Sequence, residues 1–332
     1  MITSLQFQNW RSLRAVRIEN LGPLTVFIGA NASGKSNIFD ALHFLREGVI
    51  EDEGALSETA FRWGRYDNLR TRDADEPIIM TLTGRAEHGL HGPLHARLAP
   101  DNGANPLAPK PYWGEFLRRW QLLAEGFNPA TAITRQQIMP LQRMELDGRN
   151  LPVILDYLRS YKPHTYRALL ADLRALHDHI DSVETYANDY ETRIIVNEKH
   201  LPDAPTVSAG TGRTLAILAA MHLLDVRDER LPGLLFVEEP NTAIHPQLHQ
   251  RLVERLRAHV TNPEGGPRQI FLTTHNPSFL NLFAPDEVRI VARGADGHTT
   301  VQPVPDDLAA AWQADGVYGL GAAWYTVIEK KR

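Results

Sequence analysis

Residues 29–36 read Gly-Ala-Asn-Ala-Ser-Gly-Lys-Ser and fill the pattern G-x-x-x-x-G-K-[ST]. Few motifs constrain a fold so strongly, because the loop works only between a buried strand and a helix. The run Leu24–Ile28 (Leu-Thr-Val-Phe-Ile) reads as a strand buried on both faces. After the loop, Ile38, Phe39, Leu42 and Leu45 mark one stripe of a helix expected from about Ser36 to Arg46. Strand, glycine turn and helix open an α/β fold. In such a loop Gly29 and Gly34 let the backbone bend so that the N–H groups of Asn31, Ala32, Ser33 and Asn37 can face an anion. The helix directs its positive end to the same place. Lys35 can reach the outer phosphates, and the Ser36 hydroxyl can join a Mg²⁺ shell.

The remaining chain supports a globular protein with α/β rhythm at both ends. Alternation predicts strands at Ile2–Phe7 and Val16–Ile18, and an apolar run predicts another at Ile78–Thr83. Residues 88–112 are rich in Gly, Pro and Asn and read as loop. Trp113, Phe116, Leu117, Trp120 and Leu123, and later Leu169, Leu173, Leu176 and Ile180, stand at helical spacing. The middle therefore reads as an inserted, mostly helical lobe over 51–204, whose aromatics are explained by core packing. A polar glycine turn at 208–212 leads into a helix. A strand at Leu234–Val237, a helix over 245–259, a strand at Ile270–Thr273 and a hairpin over 287–303 turning at Gly294 and Gly297 follow. The expected organisation is a core of 1–50 with 205–303, the inserted lobe, and a helical tail over 304–332.

Composition narrows the function classes. The formal net charge of −5 gives no overall basic field for nucleic acid. Arg62, Arg65, Arg70 and Arg72 cluster, but Asp67, Asp73, Asp75 and Glu76 dilute them into a mixed-charge surface, so DNA binding stays open. The absence of cysteine excludes disulfides, thiol catalysis, iron–sulfur clusters and Cys-type zinc sites from this sequence. The N-terminal segment has no signal-peptide core, and no apolar run reaches membrane-spanning length, so a cytoplasmic protein without membrane contact is expected.

A phosphate loop needs a second metal contact and a group to position water. Leu234-Leu235-Phe236-Val237-Glu238-Glu239-Pro240 supplies an apolar strand ending in two carboxylates. Glu238 is placed to approach the magnesium shell, through water, and Glu239 to polarise a water for in-line attack.

Taken in order, Asn9-Trp10-Arg11-Ser12, the phosphate loop with Asn31, Val207-Ser208-Ala209-Gly210-Thr211-Gly212-Arg213, Glu238 to Pro246 and Thr273-Thr274-His275-Asn276-Pro277 resemble ABC-type head ATPases. The similarity is to the RecF/SMC/OLD group, especially its predicted AAA-type members linked to DNA repair and phage defence. It covers residues 1–50 and 205–295. It implies a P-loop NTPase fold of ABC head type, with ATP and Mg²⁺ bound in a composite site shared by a homodimer. Lys35, Glu239 and His275 would be catalytic, with His275 in the switch-histidine position and Arg11 near the nucleotide. Ser208, Gly210 and Thr211 would contact the γ-phosphate of the partner's nucleotide, and Asn241 would lie on the loop crossing the interface. His245 is read as shaping a helix entrance. Ala209, Gly212 and Glu238 depart from the group's common residues, and no glutamine loop can be assigned between 50 and 80.

No heptad arm is visible, and residues 304–332 are too few for a Toprim nuclease domain, so a head alone is expected. The leading function is an ATP-hydrolysing switch, in DNA repair or recombination or in phage defence, with a partner protein. One alternative is a nucleotide-binding scaffold that hardly hydrolyses and restrains a nuclease or toxin. Another is the nucleotide-binding subunit of a transporter, against which the Asn-Trp-Arg-Ser start and the large insertion count.

Overall fold

The computed structural model describes residues 1–51, 55–86, 89–99, 111–130, 132–134, 143–188, 190–199, 207–226, 232–262 and 267–315. The chain opens with an antiparallel pair, β1 (Ile2–Trp10) and β2 (Leu13–Ile18), followed by β3 (Leu24–Ile28) and α1 (Lys35–Ile50). Two short helices, α2 (Leu56–Arg62) and α3 (Tyr66–Leu69), lead to the hairpin β4 (Ile78–Ala86) and β5 (Gly89–Leu98). Then come α4 (Pro111–Arg118), β6 (Gln121–Leu123), β7 (Ala132–Thr134), α5 (Leu151–Tyr161), α6 (Pro163–Leu176), β8 (Ile180–Ala187) and β9 (Glu191–Glu198). The last third carries α7 (Ala209–Leu223), β10 (Gly233–Glu238), α8 (Pro246–Thr261), β11 (Arg268–Thr274), α9 (Pro277–Leu280), β12 (Val288–Arg293), β13 (Thr299–Pro303) and α10 (Asp306–Asp315).

A six-stranded sheet of order β13-β12-β3-β11-β10-β6 forms the centre, parallel except for its edge strand β13. Every residue of β3 and β10 is buried, as expected of parallel strands covered on both faces. Alternate side chains serve two cores. Phe27, Phe236 and Phe271 pack with α1 residues such as Phe39 and Leu42 beneath the β2-β1-β4-β5 sheet. Val26, Ile28, Val237 and Leu272 pack on the other face with residues of α7 and α8. The Phe27, Phe236 and Phe271 rings meet at centroid distances of 5.7–6.0 Å, in the range of favourable tilted and edge contacts.

The middle of the chain differs from the helical lobe expected for it. It is a mixture of helices and strands, and part of it belongs to the central layers. Residues 89–98, read as loop, form β5: Leu94, Ala96 and Leu98 are buried while Pro93, His95 and Arg97 between them are exposed. The period-2 pattern is there, masked in composition by Gly, Pro and His. The helical spacing from Trp113 breaks after Arg118, because Gln121–Leu123 pairs in parallel with β10 and Leu123 is a strand residue. Ile180 likewise stands outside its presumed helix. α6 ends at Leu176, and Ile180 begins β8, which joins β7 and β9 in a three-stranded sheet. In the tail, Asp306–Asp315 is helical, and residues 316–332 lie outside the described residues.

Candidate nucleotide site

Strand register brings the motifs together. Ile28 lies opposite Thr274, Thr273 opposite Glu238, and Val237 opposite Leu123. The chain thus leaves four adjacent parallel strands at one edge, as the phosphate loop, His275, Glu239 and Glu125. Carboxyl ends of parallel strands are where open α/β sheets bind ligands. Here they border a cleft of about 370 Å³ lined by Asn31 to Asn37, Glu125, Glu239, Thr273, His275 and Arg293.

The loop's glycines are required by space as well as by conformation. A Cβ on Gly29 would sit 2.3 Å from the Val291 carbonyl oxygen. Gly34 has φ +109°, and its Cβ would meet Thr299 Oγ1 at 2.1 Å. Among the described residues no side chain caps α1 and no acidic residue occupies its first turn, so within the helix nothing offsets its positive end at the cleft. Lys35 is 7% exposed, and its Nζ donates to the carbonyls of Gly29 (2.7 Å) and Ala30 (3.1 Å). Burial lowers its pKa, opposed by the charges of Glu239, Glu125 and Glu238.

Glu238 is buried beside the Ser36 hydroxyl, which hydrogen-bonds it, and its Oε2 accepts the Glu125 N–H at 3.1 Å. Burial pushes its pKa up to about 7, those two hydrogen bonds pull it down, and Asp40 and Glu125 push it up again. Because this folded value exceeds the ordinary value of 4.5, the ionised carboxylate opposes folding. The penalty is absent below the unfolded pKa, grows as pH rises toward about 7 and then levels off. Glu238→Gln should therefore gain stability relative to the unmodified protein between pH 4.5 and 7, by up to about 3 kcal/mol. Urea unfolding of both proteins at several pH values checks this; a constant difference would contradict it.

Glu239 follows with φ +46°, a conformation costly for a residue with a side chain. Its N–H donates to the Thr273 carbonyl at 3.1 Å. Its carboxylate is 3% exposed, pairs through Oε1 with His275 Nδ1 at 2.8 Å, and accepts the His275 N–H at 3.4 Å through Oε2. The turn therefore presents Glu239 to His275 and the cleft, while Glu238 stays with Ser36. Asn241 accepts a hydrogen bond from Thr274 Oγ1 at 2.9 Å and is buried within its own subunit.

Other expected residues lie outside the cleft's lining. Arg11 forms an ion pair with Asp40 and stacks over Trp10 and Trp63 at 5.5 and 5.8 Å, so its charge is already engaged beside α1. Ser208 caps α7, its Oγ accepting the Thr211 N–H at 3.1 Å. Gly210 runs so close to the next loop that a Cβ would lie 2.7 Å from the Ala243 carbonyl oxygen. Ser208 and Ala209 are exposed, at the start of a helix, away from their own subunit's cleft. One turn on, Arg213 ties this helix to the cleft by donating to the carbonyls of Phe127 and Glu239, the latter at 3.3 Å.

Thr273, from the Thr273-Thr274-His275 run, lines the cleft as well, together with Glu125 and Arg293, which no sequence motif marks. Arg293 donates to the Ala32 carbonyl at 3.4 Å. Glu125 stands after the strand beside β10, far beyond the 50–80 window searched for a glutamine loop. Its signal would have been the three apolar-flanked residues of β6, too short to read alone.

Residues 1–78 match a family model described as "AAA ATPase domain", and residues 173–281 match one described as "AAA domain, putative AbiEii toxin, Type IV TA system". The structure is similar to an Smc head solved with the C-winged helix domain of ScpA (TM-score 0.65, 16% identity, 93% of this chain and 99% of that one). It is also similar to an Smc head with an extended coiled coil bound to a ScpA domain from Pyrococcus furiosus (TM-score 0.61, 13% identity, 100% and 99%). The fold is that of the ABC-type Smc heads. In sequence, this head is 30% identical over 89 residues to the DNA replication and repair protein RecF of Acinetobacter baumannii, a match covering 27% of the chain and 22% of that protein. It is 46% identical over 43 residues to an uncharacterized protein of Methanocaldococcus jannaschii, 13% of each. The matched segments thus span less than a quarter of either relative. No helix among the described residues is long and apolar enough to cross a membrane.

Proposed function

We propose that this head binds ATP in the cleft above β3, β11, β10 and β6, hydrolyses it, and dimerises around it as a switch. The observation that carries the reading is the meeting of Lys35, Glu239 and His275 on one cleft, with the Glu239–His275 pair closed at 2.8 Å. The loop fits a triphosphate: residues 31–37 and an uncapped helix end line the cleft with Lys35, although the Ser33 and Asn37 N–H groups are bonded to the Ala30 and Gly34 carbonyls within the loop. Ser36 and Glu238 are the oxygen pair suited to Mg²⁺, which would neutralise charge on the phosphates when bound. Glu239 orients a water and accepts its proton. His275, half exposed beside it, holds the carboxylate in place and offers a hydrogen bond to the γ-phosphate.

The second subunit enters because one chain's cleft lacks the donors at Ser208 and Gly210 at the start of α7, where Ser208 is exposed. Thr211 beside them is buried, its N–H donated to Ser208 Oγ, and supports the turn instead of facing a partner. In a symmetric pair each subunit would present that helix start to the other's phosphates. Arg213 would then link the signature turn to the carbonyl of its own Glu239, so that closure and hydrolysis are coupled. Asn241 sits in the same loop and would move with it. Arg11 acts through Asp40 and α1 rather than by direct contact. The match to a DNA replication and repair protein supports a role in DNA repair, the toxin–antitoxin family a role in defence, and the ScpA-bound Smc heads action beside a partner protein. Steady-state phosphate release tests the shared site. Activity per chain should rise with protein concentration and then level off as dimers form; activity independent of concentration would overturn it.

A further inference from the structure

A second cluster lies away from the nucleotide cleft, where the last turns of α7 and α8 meet α6. His222 closes α7, His259 lies in the last turn of α8, and Asp225 follows α7. One ligand atom from each of the three lies within 4.8 Å of the other two. They border a separate pocket with Asp172 and Arg268.

The protonation pattern follows from hydrogen-bond chemistry. Asp172 Oδ2 lies 2.9 Å from His222 Nε2, and an ionised carboxylate only accepts, so Nε2 carries the proton. Nδ1 of the same ring faces Asp225 Oδ2 at 3.7 Å, and a cation bound there would take the place of the proton that the two carboxylates favour. His259 Nε2 is buried with no hydrogen-bond partner among the described residues, although its side chain is only 8% exposed and Asp225 Oδ1 stands 3.6 Å off. A buried imidazole nitrogen left so is uncommon and calls for a ligand. The Asp225 carboxylate thus stands between the two rings, Oδ2 facing His222 Nδ1 at 3.7 Å and Oδ1 facing His259 Nε2 at 3.6 Å.

We propose that His222 Nδ1, Asp225 and His259 Nε2 form a binding site for a divalent transition metal of the Zn²⁺ class. Two imidazoles and a carboxylate suit zinc, with water completing the tetrahedron. Asp172 behind His222 is the carboxylate that orients a metal-bound histidine, and Arg268 Nε holds Asp225 Oδ1, which leaves Oδ2, the oxygen facing His222, for the ion. Both imidazoles sit at helix C-termini, whose partial negative charge favours a cation. The ion would clasp the ends of α7 and α8. The opposite end of α7 bears Ser208, and α8 starts just after the loop of Asn241. The site stands independently of the nucleotide reading.

Calorimetric titration of the chelator-stripped, untagged full chain with zinc chloride, without nucleotide or magnesium, tests this. One Zn²⁺ per chain is expected. His259→Ala should weaken it at least 100-fold, and Asp172→Asn, which is not a ligand, about 10–100-fold. Zinc should also raise the unfolding temperature of the unmodified chain but not of His259→Ala. No stoichiometric binding would overturn the site and leave His222 as an imidazolium between two carboxylates. So would equal affinity in the unmodified chain, His259→Ala and His222→Asn.

Discussion

Glu239→Gln is expected to bind ATP normally, to lose hydrolysis by about 10²–10⁴-fold, and to accumulate as an ATP-dependent dimer. The substitution is nearly isosteric, so the left-handed turn at Glu239 and the N–H bond to Thr273 can persist. What disappears is the group proposed to take the water's proton, together with the charge opposite His275 Nδ1. Binding uses different atoms, those of the loop, Lys35 and Ser36, and should survive. Light scattering coupled to size-exclusion chromatography, with and without ATP, reads the assembly, and phosphate release reads the rate. A variant that stays monomeric in ATP, or that turns over at the unmodified rate, would remove Glu239 from its role.

The second large effect is expected at Lys35. Its Nζ and the Arg293 guanidinium both donate to loop carbonyls at the cleft, and Lys35→Ala removes the buried one of the two from where the outer phosphates are proposed to lie. A charge-assisted contact of this kind contributes about 1.5–3 kcal/mol. Its loss also leaves Glu125, Glu238 and Glu239 facing an anion without their nearest counter-charge. ATP affinity should therefore fall about 100-fold or more. Calorimetry with ATP and magnesium measures this; unchanged affinity would contradict the assignment of the loop.

What could be read from sequence follows from how local each signal is. β3, the glycine loop and α1 are contiguous, and the strand ending in Glu238-Glu239 has an apolar run of its own, so both halves of the cleft were visible in short windows. That they meet is a property of register, Thr274 against Ile28 and Glu238 against Thr273, which no window contains. Glu125 shows the limit. Its N–H bonds a carboxylate 113 positions away, and the strand that carries it is three residues long. Helical spacing misled at Leu123 and Ile180 because a chain that leaves a helix can keep apolar residues in phase for one more step. Arg11 was tied to the nucleotide by resemblance, whereas Asp40 and two tryptophans hold it at the flank of α1.

The central claim is that one triphosphate is held by two copies of this chain, and mixing two inactive variants tests it most directly. Lys35→Ala spoils the loop, and Ser208→Arg blocks the exposed signature turn. Each should be inactive alone. In an equal mixture about half of the pairs combine one of each, and such a pair holds one site with both parts intact. Phosphate release at about a quarter of the unmodified rate is the predicted result. A mixture as inactive as its components would show that Lys35 and Ser208 serve the same subunit's site.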